Sequence, residues 1–123
     1  VLAGLIGCGG GKPEQAGVDT ASVPADPRAA IFVAKGCPQC HAVAGLGVTS
    51  PQTAVGPDLT EAYEGVQLRL GVSLAEYLAK PTGTMQIVLT SQVKLTPAER
   101  DSMVAVLRGL WEEHEARQGH PVP

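Results

Sequence analysis

The chain has 123 residues, a formal net charge of −3 and an aromatic content of 3%. Its length leaves room for one domain, and no two basic residues are adjacent, which argues against the basic stripe typical of nucleic-acid binding. Because aromatic side chains usually dominate core burial, so few of them predict that another large apolar body fills the interior.

The N-terminal segment predicts attachment to a membrane. Residues 1–7 are all apolar or glycine and run directly into Cys8. The run Leu5-Ile6-Gly7-Cys8 resembles the signal of bacterial lipoproteins, in which small residues precede a lipidated cysteine. The alternatives are the end of an uncleaved membrane-spanning helix and a cleaved, soluble form. We therefore expect residues 1–8 to be an anchor or signal remnant, with Cys8 as the lipidation site.

Residues 9–26 predict a flexible linker, since they begin with three glycines, contain two prolines and show no apolar periodicity. Asp26 followed by Pro27 is typical of a helix start. The apolar residues 29–34 then predict a short helix leading to Cys37. The folded domain is expected to span residues 27–119, and residues 120–123 form a tail.

Glycine, proline, serine and threonine are frequent in residues 42–60, which predicts a long loop of a kind that is usually functional. Ser73 and Glu76 have the spacing of a capping box, so a helix is expected over residues 73–80. Residues 82–95 are expected to be an extended loop, because the apolar run 86–89 has no second strand to pair with.

The last helix has the clearest start signal in the chain. Thr96, Pro97 and Glu99 occupy the cap, first and third positions, and Gly119 is a plausible stop. Apolar residues follow at three- and four-residue steps: Met103, Val106, Leu107, Leu110 and Trp111. Together these elements predict an all-α fold.

The run Cys37-Pro38-Gln39-Cys40-His41 is a covalent haem attachment motif. Two cysteines three residues apart present their sulfurs to the two vinyl groups on one edge of a haem. The histidine that follows lies under the iron. We therefore expect one haem c, bound covalently by Cys37 and Cys40, with His41 as an axial ligand.

Other uses of the motif match the sequence less well. A thioredoxin-like pair requires a βαβ context, which the sequence does not provide. A structural zinc site requires four ligands, and the remaining candidates, Cys8, His114 and His120, lie at the ends of the chain. A disulfide between Cys37 and Cys40 is chemically possible but has no evident purpose.

The chain resembles the class I cytochrome c family over residues 27–111. The residues that carry the resemblance are Phe32, the segment 36–41, the run Gly56-Pro57-Asp58-Leu59, Met85 and the helix start at Thr96. The resemblance implies short helices and loops wrapped around one haem, with the first and last helices crossing beside its edge. It also implies that the Pro57 carbonyl accepts a hydrogen bond from His41 and that Leu59 contacts the haem.

The sixth iron ligand is expected to be Met85, which lies in the irregular segment where the family places its methionine. In this chain Gln86 follows, where the family usually has proline. Met103 lies on the apolar stripe and is more typical of a core side chain. An open site or a histidine is the other alternative. Arg69 is expected either to pair with a haem propionate or to be a solvated surface side chain.

These features predict one-electron transfer rather than catalysis by this chain itself. The expected protein is an exported, membrane-tethered cytochrome on the periplasmic or outer face of a bacterial cytoplasmic membrane. Its expected partners are redox proteins of a respiratory or photosynthetic chain, such as a quinol-oxidising complex, an oxidase or a photosynthetic complex. The alternative is a haem-based sensor or ligand-binding module with an open sixth position. A peroxidase is disfavoured, since no distal acid–base pair is evident.

Overall fold

The computed structural model describes residues 26–51 and 55–120. This part of the chain is all-α, as predicted, and contains the helices α1 (Ala30–Ala34), α2 (Ala62–Leu70), α3 (Leu74–Ala79), α4 (Thr84–Ile87) and α5 (Pro97–Arg117). Short 3₁₀ turns occupy Pro27–Ala29, Cys37–Gln39, Ala44–Leu46 and Leu59–Glu61, and a π-helical turn, Val88–Gln92, follows α4. No strand occurs in the described ranges, where the one β-type pairing is an isolated bridge between Val43 and Val48.

Two ion pairs connect the ends of the first helix to the last helix. Arg28, just before α1, contacts Glu113 near the end of α5 at 2.7 Å. Lys35, just after α1, contacts Glu99 in the first turn of α5 at 2.8 Å. Exposed ion pairs contribute only about 0–1 kcal/mol each. The buried side chains between the helices are therefore the main source of their association.

The core between the helices is small and mostly aliphatic. Its most deeply buried large side chains are Phe32, Val43, Leu46 and Leu110, and each contributes on the order of 1.5–3 kcal/mol through burial. From α5, the residues buried here are Met103, Leu107 and Leu110, which confirms that an apolar stripe faces the core. Val106 and Trp111, assigned to the same stripe, are only partly buried at its margins.

Capping boxes begin both helices for which the sequence predicts them. The Ser73 hydroxyl accepts the Glu76 amide hydrogen at 3.1 Å, and the Glu76 carboxylate accepts that of Ser73 at 2.9 Å. Thr96 and Glu99 form the same pair of bonds at 3.1 and 2.9 Å. The helix ends at Arg117, and Gly119 adopts a left-handed φ of 78°. The predicted starts and the predicted stop are confirmed.

The prediction of an extended loop over residues 82–95 is wrong, because residues 84–92 are helical. Met85, Leu89 and Val93 recur every four residues and line one pocket. A helix brings residues four apart to one face, and an extended segment does the same because its side chains alternate with a period of two. The four-residue spacing therefore suits both conformations, and the backbone of residues 84–92 adopts the helical one.

Helix α2 is a second element that the sequence analysis does not include. Its inward face carries only Ala62 and Val66 as buried residues, and Leu68 and Leu70 are exposed. With apolar side chains on both faces, the segment shows no clear helical stripe.

The expected anchor, nearly all of the expected linker and the tail residues 121–123 lie outside the described residues, and so does Cys8. Among the helices that the structure describes, none combines the length and the apolar content needed to span a bilayer.

Candidate functional site

An apolar pocket lies where helices α1, α2, α3 and α5 meet the segment 84–93. The cavity has a volume of about 160 Å³ and is partly open to solvent, so it is smaller than the roughly 300–1,000 Å³ typical of small-molecule and cofactor sites. Most of its wall is hydrocarbon: Phe32, Leu59, Ala62, Val66, Leu74, Tyr77, Leu78, Leu89, Val93, Leu95 and Leu107. The polar and sulfur-containing side chains on its wall come from Cys37, His41, Asp58, Arg69, Met85 and Met103, and Pro57 lies among them.

The pocket brings together most of the residues that the sequence singled out. Cys37, His41, Pro57, Leu59, Arg69 and Met85 all line it. Cys40 is exposed and does not line it. The pocket thus contains a histidine, a thioether and one of the two predicted attachment thiols.

His41 is the most buried charged or polar side chain in the described part of the chain, at 9% exposure. Its backbone amide donates to the Cys37 carbonyl at 2.9 Å, which closes the turn containing both cysteines. The ring Nδ1 lies 2.7 Å from the Pro57 carbonyl oxygen, the contact expected from the sequence. A carbonyl can only accept, so Nδ1 carries the hydrogen and donates it. Nε2 then keeps its lone pair for another partner.

Two segments, 40–45 and 56–60, hold this histidine, and we call them together the histidine clamp. Two backbone bonds join them at 2.8 Å: Gly56 N–H to the Cys40 carbonyl and Leu59 N–H to the Ala42 carbonyl. Two further bonds use side chains: Ala44 N–H donates to the Asp58 carboxylate at 3.3 Å, and Gly45 N–H to Thr60 Oγ1 at 2.9 Å. Within the loop predicted over residues 42–60, the described residues 42–45 and 56–60 are therefore held around His41 by hydrogen bonds.

Gly56 has a steric function in the clamp. A Cβ at this position would lie 2.3 Å from His41 Cε1, 2.4 Å from Nδ1 and 2.8 Å from the Cys40 carbonyl oxygen. These distances are far below ordinary van der Waals contact. The imidazole therefore occupies the space that any side chain at residue 56 would take.

The methionine expected as a ligand lies in the helical segment that follows α3. Met85 is partly buried in α4, and Gly83, two residues earlier, adopts a left-handed φ of 66°. The Thr90 hydroxyl donates to the Gln86 carbonyl at 2.6 Å, which ties α4 to the π-helical turn. Met103 also lines the pocket, but it is only 3% exposed and belongs to the core side of α5.

The two cysteines of the motif have different surroundings. Cys37 is partly buried on the pocket wall, and burial raises the pKa of its thiol. Cys40 follows the 3₁₀ turn at the surface. Both are free thiols in the described structure.

Arg69 and Asp58 bring opposite charges to the pocket. Arg69 is exposed in the last turn of α2 and makes no ion pair or hydrogen bond among the described residues. Burial alone would raise the pKa of Asp58, but the hydrogen bonds from Thr60 and the Ala44 amide together lower it. Asp58 is thus an ionised carboxylate at neutral pH.

Comparison with known proteins identifies no relative: no protein-family model, no curated protein and no solved structure matches this chain. Within the described residues, no cluster of three or more His, Cys, Asp or Glu side chains is arranged to hold a metal ion.

Sequence reasoning missed several pocket residues. Tyr77 and Asp58 line the pocket, although the sequence predicts no binding role for either. Tyr77 lies in the predicted helix 73–80, and its hydroxyl donates to the Thr82 carbonyl at 3.0 Å, just before the segment that carries Met85. The spacing of Met85, Leu89 and Val93 puts them on a common face in either conformation, and this was the sequence signal that could have placed the three residues together at the pocket.

Proposed function

We propose that this chain is a class I cytochrome c that carries one haem c and transfers single electrons. The observation that carries the proposal is His41, which is buried on the wall of an apolar pocket with Nδ1 donating to the Pro57 carbonyl at 2.7 Å. Covalent attachment would use Cys37 and Cys40, and the axial ligands would be His41 and Met85.

The histidine has the tautomer and the support that an iron ligand requires. A metal-binding imidazole usually donates its other N–H to a fixed acceptor, which orients the ring and raises its basicity. In this chain the Pro57 carbonyl is that acceptor, and the histidine clamp holds it in place. Nε2 is the nitrogen left for iron.

The remaining wall residues match a large apolar macrocycle. Hydrocarbon side chains from four helices form the pocket and would exclude water from both faces of the ring. Cys37 supplies a thiol at the pocket wall, and Cys40 follows three residues later in the same turn. Arg69, which has an unengaged guanidinium at the pocket margin, would bind a propionate.

Electron transfer is the function that this arrangement supports best. Bound haem supplies an iron centre that gains or loses one electron without making or breaking a bond. His41 and Met85 would occupy both axial positions and leave no position for a substrate. A thioether ligand stabilises the reduced iron and raises the potential.

The cellular setting is part of the same proposal. We infer an exported protein, tethered to a bacterial membrane through its N-terminal segment, that exchanges electrons with a quinol-oxidising complex, an oxidase or a photosynthetic complex. The sequence at Cys8 supports the tether, and the absence of adjacent basic residues argues against nucleic acid as a partner.

Two methionine variants, Met85→Leu and Met103→Leu, test the proposal as a matched pair. The chain is produced in a host with a haem c maturation system, and mass spectrometry measures covalent haem addition. The wild type and Met103→Leu should show a methionine–iron charge-transfer band and no carbon monoxide binding when reduced. Met85→Leu should lose the band and bind carbon monoxide, because leucine has no sulfur.

Several outcomes would contradict the proposal. If the wild type carries no covalent haem, the chain is not a c-type cytochrome. If the reduced wild type binds carbon monoxide rapidly and Met85→Leu leaves its spectrum unchanged, the sixth position is open and the chain is a ligand-binding module. If Met103→Leu alone removes the band, the ligand is Met103.

A further inference from the structure

Asp58 occupies a central position in the histidine clamp. It follows Pro57, whose carbonyl receives the His41 hydrogen bond, and it caps the 3₁₀ turn Leu59–Glu61. Its Oδ1 accepts the Thr60 amide hydrogen at 2.8 Å, and both carboxylate oxygens lie 3.3 Å from the Ala44 amide nitrogen. One side chain thus joins the two segments of the clamp directly beside the histidine's acceptor.

Capping alone does not require a carboxylate at this position. Serine, threonine and asparagine cap helical turns about as well as aspartate, because each offers one oxygen to the amide of the second or third residue. Asp58 differs from them by its charge. The charged residue directly follows the Pro57 carbonyl that accepts the His41 hydrogen bond, and it also lines the apolar pocket.

We propose that Asp58 is a positioning residue for His41, and that the negative charge of Asp58 also lowers the reduction potential of an iron bound by that histidine. This inference rests on the proposed function. The oxidised centre carries one more positive charge than the reduced centre, so a fixed negative charge nearby stabilises the oxidised form. The hydrogen bonds from Thr60 and Ala44 hold the carboxylate at a constant distance from the ring, so its influence is constant as well.

The expected size follows from Coulomb's law. For an assumed separation of about 10 Å in a partly solvated site, a unit charge changes the one-electron equilibrium by roughly three- to tenfold. Because a tenfold change corresponds to about 59 mV for one electron, removing the charge should raise the potential by about 30–60 mV. Arg69, which lines the same pocket, carries the opposite charge and opposes this effect in the wild type.

The experiment measures the midpoint potential and the urea unfolding midpoint of the haem-loaded protein for four variants. Asp58→Asn keeps an oxygen for the Thr60 amide and removes the charge. Asp58→Ser does the same with a smaller side chain, in case the first variant folds poorly. Thr60→Val removes the bond from Gly45 without altering charge, and Asp101→Asn removes an exposed carboxylate that does not line the pocket.

Both Asp58 variants should raise the potential by the stated amount, and Asp101→Asn should leave it nearly unchanged. Thr60→Val should lower the unfolding midpoint with little change in potential, which separates loss of the clamp from loss of the charge. If the Asp58 variants and Thr60→Val shift the potential alike, or if neither Asp58 variant shifts it, the inference is overturned while the proposed function stands. A chain without a reversible one-electron couple would overturn both.

Discussion

The substitution Gly56→Ala tests the geometry of the site most directly. The new Cβ would lie 2.3 Å from His41 Cε1 and 2.8 Å from the Cys40 carbonyl oxygen. Ordinary contact begins near 3.4 Å, so the ring must move by about 1 Å. The Cys40 carbonyl belongs to the backbone and accepts the Gly56 amide hydrogen at 2.8 Å. The segment 56–60 therefore cannot move away from the ring without losing this bond. A shift of this size would stretch the 2.7 Å bond from His41 to Pro57 beyond hydrogen-bonding distance.

The expected loss of stability combines two contributions. Overpacking a close-packed site costs about 1–3 kcal/mol, and losing the histidine's hydrogen bond costs about 0.5–1.5 kcal/mol. The sum, roughly 1.5–4.5 kcal/mol, is a large fraction of the stability of a domain this small. Urea unfolding of the haem-loaded protein, followed by circular dichroism, measures this as a lower midpoint at constant slope.

Gly109→Ala is the matched control. Gly109 lies inside α5, and a Cβ there would meet only an Arg28 guanidinium nitrogen at an ordinary 3.7 Å. Alanine in a helix interior should therefore stabilise the protein by about 0.5–1 kcal/mol. If Gly56→Ala instead changes the stability by less than about 0.5 kcal/mol, the close approach of residue 56 to the imidazole does not exist in solution.

Two further predictions concern the start of α5. Thr96→Ala should lower the free energy of unfolding by about 1 kcal/mol, because the Glu99 amide loses its capping oxygen. Thr96→Ser keeps a hydroxyl and should retain most of the wild-type stability. Calorimetry that finds the two variants equally stable would contradict the capping function. Hydrogen bonds from Lys35 and Thr96 hold the pKa of Glu99 below its usual 4.5. The ionised Glu99 carboxylate therefore stabilises the fold above pH 4.5, and this stabilisation is lost as the pH falls through the lowered pKa. Lys35→Gln should therefore make the decline in stability below about pH 4.5 less steep, and identical acid unfolding profiles would refute this.

Local chemistry explains which parts of the fold the sequence predicts. The Ser73 and Thr96 capping boxes are complete within four residues, so their spacing alone identifies the starts of α3 and α5. Helix α2 has no such start signal at residue 62, and its exposed Leu68 and Leu70 obscure its inward face. It forms because Ala62 and Val66 pack into the core, which is a tertiary effect.

The candidate site divides in the same way. The spacing of the motif is local, so the sequence singles out Cys37 and His41, and the Pro57 contact follows from a family resemblance. The position of Asp58 between Ala44 and Thr60 depends on how two distant segments pack, and no local pattern contains that information. The helical form of residues 84–92 was missed because an apolar run of four residues suits either a strand or a buried helical turn.

The pair formed by Tyr63 and Trp111 makes the molecule easy to observe. Their ring centroids lie 5.3 Å apart across the α2–α5 contact, and Trp111 is the only tryptophan in the chain. All indole emission therefore originates at one place, beside the helix that the sequence does not predict. Any loosening of α2 from α5 would change the polarity around this ring. The protein thus contains a single indole that reports this helix contact without labelling.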